Sequence, residues 1–226
     1  MSHSTGGGHI TRGGGGHMTA PTGRWNTPGV GADNPIWAAG PQSGRVLKSK
    51  LAMIGPVPFP DFTGERVYML PFIQIEGLPP ALSRWQPTVD AMLTGILCPP
   101  PGKIYLMIDQ GRVTAGQTQR RPGPHIDGNW IEDLSTADHA TGRAMYPETL
   151  ILASNVEGCQ AWTGAYFDKI GKGGDCTAVD TSHMRLVRMK AGIAYAGNVT
   201  MIHESIPIPH DCERTLVRLN VPHHQL

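Results

Sequence analysis

The stretch "MRLVRMKAGIAYAGN", residues 184–198, decides the fold class of this chain. Its pattern predicts a strand, a turn at Ala191-Gly192 and a second strand. Two further segments continue the series: "VTMIHESIPI", residues 199–208, and "RTLVRLNVP", residues 214–222, which alternates as a final strand. Strand after strand joined by turns indicates a β-sandwich or barrel rather than a doubly wound α/β fold.

The upstream half of the chain fits the same class. Only one segment has helical spacing of apolar residues, "PPALSRWQPTVDAMLTGIL", with a disturbance expected at Pro87. A turn is predicted at Gln110-Gly111, between a buried strand and a more polar one. The expected fold is therefore mainly β with one or a few supporting helices, and its predicted upstream strands are 65–77, 103–109, 112–120, 149–158 and 159–167.

A length of 226 residues suits one domain with an added tail. Residues 1–24 form a Gly/His-rich lead that we expect to be flexible; "GGGGHM" resembles a cloning scar, and a native tail is the equal alternative. The single domain is assigned to 25–226. Within it, 25–60 is rich in Pro and Gly and is predicted to be largely irregular, while 65–222 forms the core.

The net charge of the chain gives no support for binding a polyanion such as nucleic acid. Lys and Arg number 19 and Asp and Glu 18, so the net charge of +1 does not favour nucleic acid, although a local basic groove stays open. No apolar run reaches the length of a membrane span, and the N-terminus lacks an apolar h-region. The 4 cysteines show no CxxC spacing, so free thiols and a cytoplasmic location are expected.

The candidate chemistry begins in "PGPHIDGNW", residues 122–130. On an extended segment, His125 and Asp127 face the same side and can point into one cavity. His203 lies on a later predicted strand among apolar neighbours. Two histidines and one carboxylate on one face of a metal leave the other face open, as in the facial triad of non-haem Fe(II) oxygenases. A lone histidine is more often a surface or satisfied polar residue, so the pattern rests on the three together.

An arginine follows on the final strand. Arg218 shares a face with Asn220, and an inward guanidinium needs an anion, for which a dicarboxylate cosubstrate is a natural partner. Arg214 is four residues earlier on the same nominal face and is the rival for this role. Asn220 could add a hydrogen bond to the same ligand.

The fragments "PHIDG", "IHES" and "RTLVRL" and their order resemble the iron(II)/2-oxoglutarate-dependent oxygenases, over roughly residues 65–222. The resemblance implies a double-stranded β-helix, or jelly roll, in which His125, Asp127 and His203 hold Fe(II). It also implies that 2-oxoglutarate, the cosubstrate beside O₂, meets an arginine on the last strand, best matched by Arg218. The His203–Arg218 spacing is similar to that of the TET/JBP nucleobase-oxidising branch, and the His203–Arg214 spacing to taurine-dioxygenase-like members.

These observations predict a dioxygenase that hydroxylates a C–H bond of a nucleobase, a small metabolite or a peptidyl side chain. The resemblance departs at the last strand, where some members have Arg-x-Ser and this chain has Arg218-Leu219-Asn220. The alternative is a metal-binding cupin-like protein without this activity, or a structural jelly roll of the virion type. An arginine facing the metal separates the enzyme from a simple metal binder.

Overall fold

A computed structural model of the chain describes residues 44–97, 102–127 and 148–222. The described part is mainly β, and its strands pair antiparallel, as the sequence predicts. The predicted lead and residues 25–43 lie outside the described ranges. The ten strands are β1 (Val46–Ser49), β2 (Leu51–Pro56), β3 (Arg66–Ile73), β4 (Lys103–Val113), β5 (Glu148–Ser154), β6 (Cys159–Phe167), β7 (Arg185–Arg188), β8 (Ile193–Asn198), β9 (Ile202–Ser205) and β10 (Cys212–Pro222).

Six strands form the larger sheet, in the order β2-β8-β5-β10-β4-β3. Alternation along β10 gives this sheet two different faces. Val217 and Leu219 are fully buried on the face that a helix covers. Leu216 faces the other way and belongs to an apolar cluster that reaches the second sheet.

The predicted helix is present but divided. A 3₁₀ turn spans Pro80–Trp85, and the helix α1 follows at Gln86–Met92. Pro87 lies in the first turn of α1, where its missing N–H removes no intrahelical bond. Trp85, Val89 and Met92 are wholly buried against the larger sheet, so the apolar spacing in the sequence corresponds to core contacts.

The smaller sheet is built around β6. Strand β7 pairs with one edge of β6, while β9 and β1 pair with successive parts of it. Cys159 and Ala161 of β6 pack with Met107, Leu152 and Leu216 of the larger sheet. The two sheets therefore enclose an interior layer, and the residues of β10 that share a face with Leu216 point into it.

The pairing of the later elements is nested. Counting from β4, the structure describes eight elements: β4, the segment around His125, and then β5 to β10. The first pairs with the last, β4 with β10, and the second with the seventh, through a bridge between His125 and His203. The third pairs with the sixth, β5 with β8, and the fourth with the fifth, β6 with β7. Within the described residues, the later elements therefore pair in nested order.

Local predictions are wrong in two places. Gln110-Gly111 is not a turn, because β4 continues to Val113 and stays in register with β10 as far as the Cys212–Val113 pair. The separate strand predicted over 112–120 is therefore wrong too, since only Arg112 and Val113 are extended, as the end of β4, and residues 114–120 form no strand. Gln110 is buried there and its Oε1 accepts from the backbone N–H groups of Thr63 and Glu65. The second concerns 25–60, which is not irregular over 46–56, where β1 and β2 form. Pairing with distant strands, rather than local pattern, makes both segments extended.

Cys159, Cys176 and Cys212 are free thiols in agreement with the sequence, and Cys98 lies outside the described residues. In the described ranges, none of the helices is long and apolar enough to cross a bilayer.

Candidate metal and anion site

The segment carrying His125 is held next to β9 by the backbone. His125 N–H donates to the His203 carbonyl at 2.9 Å, and His203 N–H donates back to the His125 carbonyl at 2.9 Å. Such a reciprocal pair sets two residues directly opposite each other on neighbouring strands. Two histidines that are 78 positions apart in the sequence are therefore cross-strand neighbours, with ring centroids 4.5 Å apart.

A glycine-rich loop fixes the other side of this segment. Ile126 N–H donates to the Gly174 carbonyl and Cys176 N–H to the Pro124 carbonyl, each at 2.9 Å. Gly173 and Gly174 have φ of 66° and 77°, a conformation that favours glycine. The sequence "GKGGD" lacks the spacing of a phosphate loop; its glycines instead form the turn that bonds to the His125–Asp127 segment.

The three predicted ligands meet in the interior. One ligand atom from each of His125, Asp127 and His203 lies within 4.8 Å of the others. Asp127 Oδ1 is 3.9 Å from His125 Nε2, and Asp127 Oδ2 is 3.5 Å from His203 Nε2. Zinc, for comparison, binds such atoms at about 2.0–2.2 Å, so two ligands of one ion are about 3–4 Å apart. The cluster has the size of a metal site.

The hydrogen bonds of both imidazoles prepare them as ligands. His125 Nδ1 is 2.7 Å from the Gly123 carbonyl, and His203 Nδ1 is 3.1 Å from the Met201 carbonyl. A carbonyl only accepts, so each Nδ1 carries the proton and each Nε2 keeps a lone pair for a metal. Burial, and then the neighbouring His203, lowers the pKa of His125 to about 3, so its ring is neutral at physiological pH.

Asp127 is charged despite its position. Burial alone would raise the pKa of its carboxyl, but the Arg218 guanidinium outweighs burial, with the help of His203, and holds that pKa well below its usual range. Arg218 Nη1 donates to Asp127 Oδ2 at 2.7 Å. The cluster therefore offers a neutral nitrogen of His125 and the Asp127 carboxylate, both ready to bind a cation without first losing a proton, beside the Nε2 of His203.

Arg214 has a different environment from Arg218. Its side chain is fully buried, and its three guanidinium nitrogens are near two hydroxyl oxygens and a sulfur: Nε is 3.2 Å from Ser154 Oγ, Nη1 is 3.5 Å from Ser205 Oγ, and Nη2 is 3.1 Å from Cys159 Sγ. Among the described residues no carboxylate forms an ion pair with it. A buried cation without a counter-charge is costly, so this arrangement fits a protein that binds an anion here.

The space at Arg214 depends on a glycine. A Cβ added to Gly158 would lie 2.6 Å from Arg214 Cζ, closer than real contacts allow. Ser154 and Cys159 also line a small pocket, partly open to solvent, whose other walls include Leu152 and Leu216. The Arg214 guanidinium thus packs directly on the backbone of Gly158, which has no side chain to displace it.

Asn220, the third predicted cosubstrate contact, points to a neighbouring strand. Its amide nitrogen donates to the buried carboxylate of Glu148 on β5. In the ranges that the structure describes, no hydrogen bond joins Asn220 to the three candidate ligands. The partners of Arg214, by contrast, are residues that the sequence analysis did not select: Ser154, Gly158, Cys159 and Ser205. Their residue types are common in turns and cores, so no sequence signal marks them.

Two arginines that could contribute to a basic nucleic-acid groove form ion pairs with acidic residues. Arg112 is 3.1 Å from Glu213 and Arg120 is 3.4 Å from Asp109. These pairs reduce the positive charge available to a polyanion.

Neither the comparison with models of protein families nor the comparison with curated proteins finds a match for this chain.

Proposed function

We propose that this chain is an Fe(II)- and 2-oxoglutarate-dependent dioxygenase, built on a jelly roll, that hydroxylates a C–H bond of an organic substrate. The nested pairing of β4 to β10 supports the jelly roll, because a hairpin of eight elements coiled into two facing sheets has this pairing. The candidate metal ligands project between those sheets.

The donor set fits a non-haem iron site. His125 and His203 would bind through Nε2 and Asp127 through its carboxylate, a set of three ligands that leaves positions for a bidentate cosubstrate and O₂. Bound iron would couple the decarboxylation of 2-oxoglutarate to the activation of O₂. The chain's own contribution is to hold three ligands in fixed positions and to exclude water, since His125 and His203 are each 6% exposed.

The observation that carries the proposal is Arg214. A simple metal-binding protein has no need of a buried guanidinium that forms no ion pair with any carboxylate of the described residues. Ser205, one of these neighbours, is two residues from His203 on β9, which is roughly 6.6 Å along a strand. A dicarboxylate that bound the metal at one end could therefore reach Arg214 at the other.

The sequence favours Arg218 as the anchor for 2-oxoglutarate, but its Nη1 already pairs with Asp127. We infer that Arg214 binds the distal carboxylate and that Arg218 orients a metal ligand. Spacing along β10 leaves the two equivalent, since both face the interior; their partners distinguish them.

The test is an anaerobic titration of the full chain with Fe(II) and 2-oxoglutarate, read by the visible charge-transfer band of the chelate. Losing one partner of a buried charged pair costs on the order of 2–5 kcal/mol. Arg214→Met is therefore expected to weaken 2-oxoglutarate binding by roughly 30- to several-thousand-fold. Arg112→Met is the matched control, because this arginine side chain is 83% exposed.

Three outcomes decide between the alternatives. With Fe(II) at a concentration that saturates every variant, loss of the band in Arg214→Met but not in Arg218→Met supports the assignment. Loss in Arg218→Met alone would return the anchor to Arg218. If the wild-type protein gives no band and no succinate, the dioxygenase is wrong and a cupin-like metal binder or a structural jelly roll replaces it.

A further inference from the structure

Strand β3 contains a bulge opposite the candidate site. Val67 pairs with Ile108 of β4 and Leu70 pairs with Leu106, so two residues of β3, Tyr68 and Met69, face the single residue Met107. A bulge re-aims side chains that regular alternation would send elsewhere. Tyr68 and Met69 both pack against the interior cluster between the sheets.

The bulge carries backbone strain. Met69 has φ of 46°, and within the described ranges it is the one residue other than glycine with positive φ. Glycine adopts this conformation without a steric cost, whereas a residue with a side chain does not. Strain of this kind persists where the surrounding structure fixes it, and it is concentrated at functional sites. We therefore expect the side chain of Met69 to make a contact that offsets the cost of its backbone conformation.

The side chain of Met69 contacts Arg218. Met69 Sδ is 3.4 Å from Arg218 Nη2, on the same guanidinium whose Nη1 donates to Asp127 Oδ2. The Met69 thioether therefore contacts the buried Arg218, and Arg218 in turn contacts Asp127, a candidate metal ligand. A carboxylate at position 69 would compete with Asp127 for the guanidinium, and an alkyl group would offer Nη2 no acceptor. A thioether accepts weakly and carries no charge.

We propose that Met69 is a positioning residue for the metal site, in which the bulge at Tyr68-Met69 holds the Arg218 guanidinium against Asp127 and so fixes the ligand carboxylate. The inference rests on the metal site of the proposed function. It requires neither 2-oxoglutarate nor O₂.

The experiment is a titration of the metal-free full chain with Co(II), read by its visible d–d absorption, which reports both affinity and ligand geometry. Met69→Leu keeps the volume of the side chain and removes the acceptor. We expect Co(II) affinity to fall by about 2- to 10-fold, the range that one hydrogen bond supports, with an altered spectrum. Met69→Gly removes the strain as well as the sulfur, and is expected to weaken Co(II) binding in the same direction.

A double-mutant cycle separates positioning from general packing. In an Arg218→Met background, Met69→Leu is expected to change Co(II) affinity no further, because Met69 acts through the arginine. Leu70→Ala is the control on the same strand: it loses core packing on the helix side and should leave Co(II) affinity and spectrum unchanged. Wild-type affinity and spectrum in both Met69 variants, or an equal loss in both backgrounds, would overturn the proposal.

The same titration distinguishes the two hypotheses. Wild-type protein that binds Co(II) through this site but gives no response to 2-oxoglutarate would refute the dioxygenase and leave the role of Met69 in place. Wild-type protein that binds no Co(II) would refute the metal site and, with it, the positioning role.

Discussion

Arg218 Nη1 lies 2.7 Å from Asp127 Oδ2, and this pair joins the last strand to the segment that carries two of the three candidate ligands. The side chains are 5% and 19% exposed, so water screens the pair poorly. It keeps a carboxylate ionised in the interior before any metal arrives. The arginine thereby contributes to the site without being a ligand itself.

The first prediction concerns the stability of that pair. Arg218→Met leaves the Asp127 carboxylate buried without its cation, and breaking a buried pair in this way costs on the order of 3–5 kcal/mol in unfolding free energy. Urea denaturation of metal-free protein measures it. The double variant Arg218→Met/Asp127→Asn removes both charges and should recover part of the loss. Equal losses in the single and double variants would show that the two residues are not coupled.

The second prediction tests the ligands. His125→Ala, Asp127→Ala and His203→Ala should each weaken Fe(II) or Co(II) binding by more than about 100-fold, since even an outer-shell partner is worth 10- to 100-fold. Isothermal titration of metal-free protein supplies the affinities. His210→Ala, in an exposed turn before β10, should bind as the wild type does. Wild-type metal affinity in the His203→Ala variant would show that these three residues do not bind the metal together.

The third prediction uses the bare backbone beside Arg214. Gly158→Ala would put a methyl group 2.6 Å from Arg214 Cζ and must displace the guanidinium. We expect a stability cost of about 1–3 kcal/mol for overpacking and at least about a tenfold loss of 2-oxoglutarate affinity, with metal affinity retained.

Gly111→Ala is the matched control for that variant. Gly111 is paired with Arg214 across β4 and β10, and its added Cβ would meet other atoms at an ordinary 3.5 Å. Unchanged 2-oxoglutarate binding in Gly158→Ala would show that Arg214 is not the anchor.

The fourth prediction is a pH dependence of the metal-free protein. His125 has a folded-state pKa of about 3 and an unfolded value near 6.5, so below pH 6.5 the unfolded chain binds a proton that the folded chain does not. Above pH 6.5 this histidine does not lower the unfolding free energy, which there is at its highest value with respect to this group. This free energy decreases by about 1.4 kcal/mol per pH unit as the pH falls towards 3.

Urea denaturation between pH 7.5 and 4.5 measures this slope, in a window above the titration range of Asp127. His125→Gln should show a shallower dependence than the wild type. Parallel curves for the two proteins would mean that His125 is not held neutral in the fold.

The sequence by itself determined the mainly β fold class and indicated the three candidate ligands. Turn residues such as Ala191-Gly192 and runs of strand-forming residues are local signals, and they correctly indicate antiparallel β structure. The proximity of His125 and Asp127 follows from spacing within an extended segment. His203 followed from the order of motifs, and the structure does bring it within reach of the other two.

Only the tertiary structure distinguishes the surroundings of the two arginines. Arg214 and Arg218 are four residues apart on one strand face, so alternation predicts the same orientation for both. Their partners come from separate elements: Arg218 meets Asp127 of the His125 segment, while Arg214 lies among residues of β5, β6 and β9. The bulge that presents Met69 likewise depends on pairing with β4. Such contacts join distant parts of the chain, and their energies depend on packing and burial that no local pattern of residues encodes.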